Sequence, residues 1–172
     1  MRLEPVTEPD LPEVHRHIER AYRGDTARAG WSHEADLLTG PRTSVEELTE
    51  LLADPSHHLL CWRDDGRIRA VVLLADKGGG LAYVGMVTVD PDLQAQGVGK
   101  HLLAAAERHA GEQFGATRIE MQVFSTRREL IAFYERRGYR PTGERRPFPY
   151  EEAPEAGALR DDLEFVVLEK RL

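Results

Sequence analysis

An extended run, Val87-Thr88-Val89-Asp90-Pro91, leads into Gln94-Ala95-Gln96-Gly97-Val98-Gly99-Lys100. A strand that stops at Asp90-Pro91, a glycine-bearing turn and a helix behind it would gather main-chain N–H groups in one concavity. The first four amides of a helix have no intrahelical acceptor, and the helix dipole adds partial positive charge at that end. With no Cβ at 97 and 99, an anion can approach the backbone closely. The chemistry these residues suit is capture of a phosphate or diphosphate at a helix start. Two common nucleotide motifs do not fit. A Walker A loop needs glycine where Gln94 stands and Ser or Thr where His101 stands. A dinucleotide fingerprint needs a third glycine at Leu102.

The elements that must hold this turn follow from periodicity. Residues 3–6 suit a short strand. Asp10 with Glu13 reads as a capping box for a helix carrying Leu11, Val14, Ile18 and Ala21, ended by Gly24. Ser32 is expected to cap a short helix. Ser44 with Glu47 opens a helix carrying Val45, Leu48, Leu51 and Leu52, stopped at Asp54-Pro55. Strands are predicted over 58–63 and 68–75, joined by a hairpin turn at Asp64-Asp65-Gly66-Arg67, and over 81–89 after Gly78-Gly79-Gly80. A long helix then runs to about Phe114 with Val98, Leu102, Ala106 and Ala110 on its buried stripe. Residues 118–124 form a strand. Thr126 with Glu129 caps a helix carrying Leu130, Ile131, Phe133 and Tyr134, and Gly138 supplies its left-handed stop. A short strand over 139–143, a proline-rich loop over 145–159 and a last strand over 163–169 complete the chain. This order predicts a single α+β domain over residues 1–172, its mixed, largely antiparallel sheet carrying helices on both faces.

The strand and loop at 87–100, with Gln94, Gly97 and Gly99 in the pattern Gln/Arg-x-x-Gly-x-Gly/Ala, resemble the GNAT acetyltransferase family. So does Ile131-Ala132-Phe133-Tyr134-Glu135-Arg136-Arg137-Gly138-Tyr139, where a tyrosine precedes a Gly-aromatic stop. The resemblance is specific from about Val84 to Tyr139 and looser over the N-terminal helices. It implies a sheet splayed between its fourth and fifth strands and an acetyl-CoA-dependent N-acetyltransferase. Val87, Thr88 and Val89 would then run beside the pantetheine arm. The main chain of Gln94, Ala95, Gln96, Gly97, Val98, Gly99 and Lys100 would hold the diphosphate. The amine would attack the thioester directly in a ternary complex, with the enzyme supplying orientation and polarisation of the carbonyl.

Tyr134 matches the family's general acid, which protonates the departing thiolate; a plain core tyrosine is the competing reading. An ammonium must lose a proton before it attacks. Glu120, beside the splay, and Glu34, on the early segment facing the acceptor, are the carboxylates considered for that task. Trp31 is a candidate wall of the acceptor pocket, with core packing as the competing reading, and His33 reads as a neighbour of the Ser32 cap in preference to a base. Two departures stand out. Arg127 occupies the place, seven residues before the tyrosine, where the family often has an Asn that contacts the cofactor. Gln94 stands where Arg is frequent, removing one positive charge near the diphosphate.

Composition bounds the alternatives. The chain has 172 residues and a formal net charge of -7 with no basic stripe, which argues against a nucleic-acid partner. No apolar run reaches the roughly 18–20 residues that cross a bilayer, and no secretory leader is evident, so the expectation is a cytoplasmic protein without a membrane partner. Cys61 is the one cysteine and sits in Leu59-Leu60-Cys61-Trp62, reading as a packed hydrophobe rather than a thiol nucleophile. No metal is expected. The acceptor is expected to be a small-molecule amine, with a peptide or protein amine and a non-catalytic acyl-CoA sensor as the alternatives, and a homodimer is an open expectation.

Overall fold

The hairpin predicted at residues 64–67 sets the register at the centre of the sheet. Asp65 and Gly66 both take positive φ, 48° and 74°, the two-residue turn whose twist matches its flanking strands. It joins β2 (His57–Asp64) to β3 (Arg67–Asp76). The computed structural model describes residues 1–28, 32–94 and 96–172, and all structural statements below concern these. The other strands are β1 (Glu4–Pro5), β4 (Leu81–Val89), β5 (Arg118–Phe124), β6 (Arg140–Pro147) and β7 (Glu164–Arg171). They form a mixed sheet in the order β1-β2-β3-β4-β5-β7-β6. All neighbours are antiparallel except β4 and β5. Those two pair only at Leu81↔Arg118, Ala82↔Ile119 and Tyr83↔Glu120. Beyond Tyr83 they part, which is the splay expected between the fourth and fifth strands.

Two bulges shape the sheet. In β3, Ala70 pairs with Trp62 and Ile68 with Arg63, so Arg69 is an extra residue. The slip turns Ile68 to the face used by Val71 and Leu73, where one buried cluster forms. In β4, Gly85 pairs with Leu73 and Thr88 with Val71, so β4 carries the extra residue. Met86 takes φ 49° there. A Cβ on Gly85 would stand 2.8 Å from the Tyr83 ring, so only glycine lets that ring lie against the bulge.

Helices cover both faces, as the apolar patterns require. On one face α1 (Leu11–Tyr22) and α3 (Val45–Ala53) bring Leu11, Val14, Ile18 and Leu48 against Leu59, Cys61, Val71 and Leu73. On the other, α4 (Val98–Phe114) and α5 (Arg128–Glu135) set Leu102, Leu103, Ala106, Ala110 and Tyr134 against Leu60, Val72, Leu74 and Val84. Each fully buried Leu contributes about 1.5–3 kcal/mol by leaving water. A satellite cluster of Leu37, Leu38, Phe124, Phe148 and Leu163 lies under the late loop.

Several local expectations are corrected. Asp10 does not pair with Glu13; its carboxylate accepts from the Thr7 N–H and hydroxyl at 2.9 and 2.7 Å. Glu13 instead accepts the Ile68 N–H at 2.8 Å and ties α1 to β3. Gly24 does not end a run but opens the five-residue α2 (Gly24–Arg28) after Arg23 turns extended. Ser32 caps no helix, and turns follow at 35–37. The start of α5 has no side-chain cap, because Arg127 rather than Thr126 stands at its N-cap. The short strand expected over 139–143 is β6, which runs to Pro147 and takes three residues from the predicted loop. Ser44 caps α3 as expected, accepting the Glu47 N–H at 3.1 Å.

Candidate active site

The splay opens two cavities that share a wall. One, of about 570 Å³, runs between the end of β4, the turn before α4 and the inner face of α5. The other, of about 510 Å³, lies beside the β4 bulge among β5, the residues before α3 and the late loop. Tyr22, Val87, Leu130 and Tyr134 line both. A molecule in the first therefore meets a molecule in the second at Tyr134 and Val87.

The first cavity contains the turn before α4 that the sequence singled out. Gly97 is the N-cap of α4 in the left-handed region, φ 80°, and the helix has no side-chain cap there. Nothing lies within 4 Å of where a Gly97 Cβ would stand. The amides of Gln94 and Gln96 bond to the carbonyls of Pro91 and Leu93, at 3.3 and 3.4 Å, so the donors left for a ligand come from the turn's later residues. Gln94, Gly97, Gly99 and Lys100 line the cavity. Gln96 and Val98 do not, and Val98 packs on the core. Ala95 lies outside the described residues. The Gln94 side chain is a brace. Its amide donates to the Val89 carbonyl at 3.2 Å and its oxygen accepts the Ser32 N–H at 3.2 Å.

The end of β4 presents an open edge here. The Asp90 N–H bonds to the Arg69 carbonyl on the β3 side. By the two-residue alternation of an extended strand, the peptide groups of Val87 and Val89 turn the other way, to where β5 has departed. The Tyr22 hydroxyl reaches the Val87 carbonyl at 3.4 Å. Thr88 faces inward, its hydroxyl donating to the Val71 carbonyl at 3.2 Å. Opposite stand Arg136 and Arg137, which were part of the quoted motif but received no role from the sequence. The Arg137 guanidinium lies 3.4 Å over the Phe133 ring, and burial pulls its pKa down. A basic pair at a helix end was the signal that could have flagged them.

Tyr134 is buried, with its ring edge-to-face against Phe133 and Tyr139 at centroid distances of 5.3 and 5.8 Å. Its hydroxyl makes no hydrogen bond to the described residues, yet it faces the junction of the two cavities. A core tyrosine normally has its hydroxyl satisfied. Burial holds the phenol well above its ordinary pKa of 10, so it stays protonated.

The two expected carboxylates occupy different settings. Glu34 lines the second cavity and meets three arginines: Arg23 at 2.6 Å, Arg127 at 3.6 Å and Arg42 at 4.0 Å. Burial raises its pKa, but the guanidinium groups of Arg42, Arg23 and Arg127 together bring it below the usual carboxylate value. Glu120, buried on β5 opposite Tyr83, pairs with Arg146 at 3.3 Å and lines neither cavity. Arg127 donates to the Ser32 hydroxyl at 2.7 Å as well as facing Glu34. Tyr22 and Tyr83 also line the second cavity; burial pushes Tyr22 up to about 12 and raises Tyr83. His33 accepts the Ala35 N–H at 3.2 Å, and burial lowers its pKa. Trp31 lies outside the described residues.

A family model described as the acetyltransferase (GNAT) family matches residues 13–139. The chain belongs to the GNAT acetyltransferase family. Comparison with curated protein sequences gives no match. Among solved structures, the ribosomal-protein-alanine N-acetyltransferase of Brucella melitensis is 14% identical, with 100% of each chain covered and a TM-score of 0.71. An IAA acetyltransferase from Bacillus cereus is 14% identical, covering 99% of each chain at a TM-score of 0.71. A Bacillus anthracis protein solved with acetyl coenzyme A is 22% identical over 72% of this chain and 67% of that one, at a TM-score of 0.58. At these identities the likeness is one of fold. In this GNAT chain, no helix among the described residues is long and apolar enough to cross a membrane.

Proposed function

We propose that this chain transfers an acetyl group from acetyl-CoA to the primary amine of a small molecule, by direct attack in a ternary complex. The observation that carries the reading is the meeting of two cavities at Tyr134, whose hydroxyl makes no hydrogen bond to the described residues. GNAT membership and the acetyl coenzyme A bound to the Bacillus anthracis neighbour support the donor. The first cavity fits that donor. An uncapped helix start with a bare Gly97 suits a diphosphate. Lys100, Arg136 and Arg137 add positive charge along the cleft. The β4 edge at Val87 and Val89, whose carbonyls already accept from Tyr22 and Gln94, offers its peptide groups to an extended amide-bearing arm as N–H donors and as shared acceptors. The second cavity, about 510 Å³, is the size of small-molecule sites.

Each residue then has a physical task. Main-chain donors at 97–100 and the β4 edge orient the thioester. Tyr134, held protonated by burial, donates to the thiolate as its charge develops. Glu34 is a weak proton acceptor because three guanidinium groups stabilise its ionised form. We assign it to holding those arginines, not to proton abstraction. Glu120 reaches the reacting amine only through water, since it lines neither cavity. The test is thiol release from acetyl-CoA across a broad amine panel. Acetylated product and stoichiometric CoA are the expected result. CoA binding with no thiol released by any amine would reduce the protein to a binding module.

A further inference from the structure

We infer that the acceptor amine carries an anionic group as well, a carboxylate or a phosphonate. The inference rests on the transferase reading above and concerns the second cavity alone.

Three guanidinium groups there face one carboxylate. Arg23 is consumed by the fold: it is 8% exposed, donates to the Gly40 carbonyl at 3.0 Å and to Glu34 at 2.6 Å. Arg127, 11% exposed, is held by Ser32 and Glu34. Arg42 differs. Its guanidinium lies 4.0 Å from Glu34 and 5.2 Å over the Tyr22 ring, and donates no hydrogen bond to the described residues. It lines the cavity with 30% of its side chain exposed. Three more carboxylates stand nearby: Glu47 and Glu155 line the same cavity, and Glu19 acts on Arg42. Glu19 accepts the Arg42 and Thr43 N–H groups at 2.6 and 3.0 Å. Glu47 takes the Thr43 hydroxyl at 2.8 Å, and Glu155 is exposed on the late loop.

The cavity's three acids therefore match its three arginines in formal charge, and what is left over is hydrogen-bonding capacity: the Arg42 fork, 4.0 Å from Glu34, donates to none of the described residues in a partly desolvated wall. A guanidinium in that setting is satisfied by a two-oxygen anion that meets it side by side. The ligand's acid would stand at Arg42 while its amine reaches toward Tyr134.

The experiment compares acceptors in matched pairs: phenylalanine with phenethylamine, 4-aminobutyrate with butylamine, and 2-aminoethylphosphonate with ethanolamine, plus spermidine. Thiol release by the full chain should favour the acid-bearing member of at least one pair by about tenfold or more in kcat/KM. Arg42→Gln should reduce that kcat/KM by a similar factor, mainly through KM, and Arg42→Lys should restore part of it. Turnover with spermidine or the neutral members preferred throughout, or an unchanged preference in Arg42→Gln, would overturn the inference and leave the transferase reading standing. If CoA binds but no amine releases thiol, the transferase reading is what fails. Melting of the CoA complex then decides the present point. Stabilisation of the wild-type chain by acid-bearing members over their neutral partners supports it, and equal melting temperatures overturn it.

Discussion

Replacing Tyr134 by Phe removes one oxygen from the junction of the two cavities. The structure predicts what this costs. The ring contacts with Phe133 and Tyr139, at 5.3 and 5.8 Å, are retained. No hydrogen bond to the described protein is lost, so folding stability should change by less than about 1 kcal/mol. The hydroxyl matters only when charge appears on the leaving sulfur. Loss of a positioned general acid slows turnover by about 10²–10⁴-fold, which corresponds to about 3–5 kcal/mol of the barrier. The assay is steady-state thiol release, with CoA affinity measured separately by calorimetry. kcat should fall by that factor while the CoA dissociation constant and Tm stay put, since an interaction confined to the transition state leaves ground-state binding alone. Because burial raises the phenol above 10, the wild-type rate should show no alkaline limb from Tyr134 below that pH. A Phe variant with wild-type kcat would remove the residue from the mechanism.

Three further outcomes follow from the same geometry. Gly99 has no positive φ and its Cβ would sit 3.6 Å from Phe133, so Gly99→Asp should fold. Its carboxylate would repel a diphosphate and weaken CoA binding about 10–100-fold by calorimetry; unchanged affinity would refute the anion site. Glu34→Gln removes the carboxylate that Arg23 and Arg127 meet at 2.6 and 3.6 Å and should cost about 3–5 kcal/mol in denaturant melts. Since Glu34 titrates below its ordinary value of 4.5 in the folded chain, its contribution is whole above that pH and lost below it. The variant should accordingly lose less stability on acidification than the wild type. His17 is buried and its pKa is lowered by burial from 6.5 to about 4, against a smaller opposing effect of Asp90. The unfolded chain binds the extra proton between those values, so stability should fall by about 3 kcal/mol as pH drops from 6.5 to 4. His17→Leu should flatten that slope, and an identical slope would locate the titration elsewhere.

What the sequence made legible was local. Gly97 beside a strand end announces a left-handed turn that favours glycine, and it does take φ 80°. Tyr134 and Gly138 announce a helix and its stop within a few residues. The arginine cluster was invisible for the opposite reason. Arg23, Arg42 and Arg127 come from the end of α1, the residues before α3 and the start of α5, and only the folded topology brings them to Glu34. The same distance effect defeated two caps. Asp10 found Thr7 behind it in place of Glu13 ahead, because Glu13 was needed by the Ile68 amide on β3. Ser32 was taken by Arg127 and Gln94. β6 was underread because its residues are exposed along nearly their whole length, leaving no apolar alternation to detect.

Solving the chain with acetyl-CoA bound addresses the central claim without intermediaries. The diphosphate should lie against the main chain of residues 97–100, the pantetheine along Val87 and Val89, and the sulfur within hydrogen-bonding reach of the Tyr134 hydroxyl. Density for the cofactor in any other cleft, or a sulfur remote from Tyr134, would contradict the account.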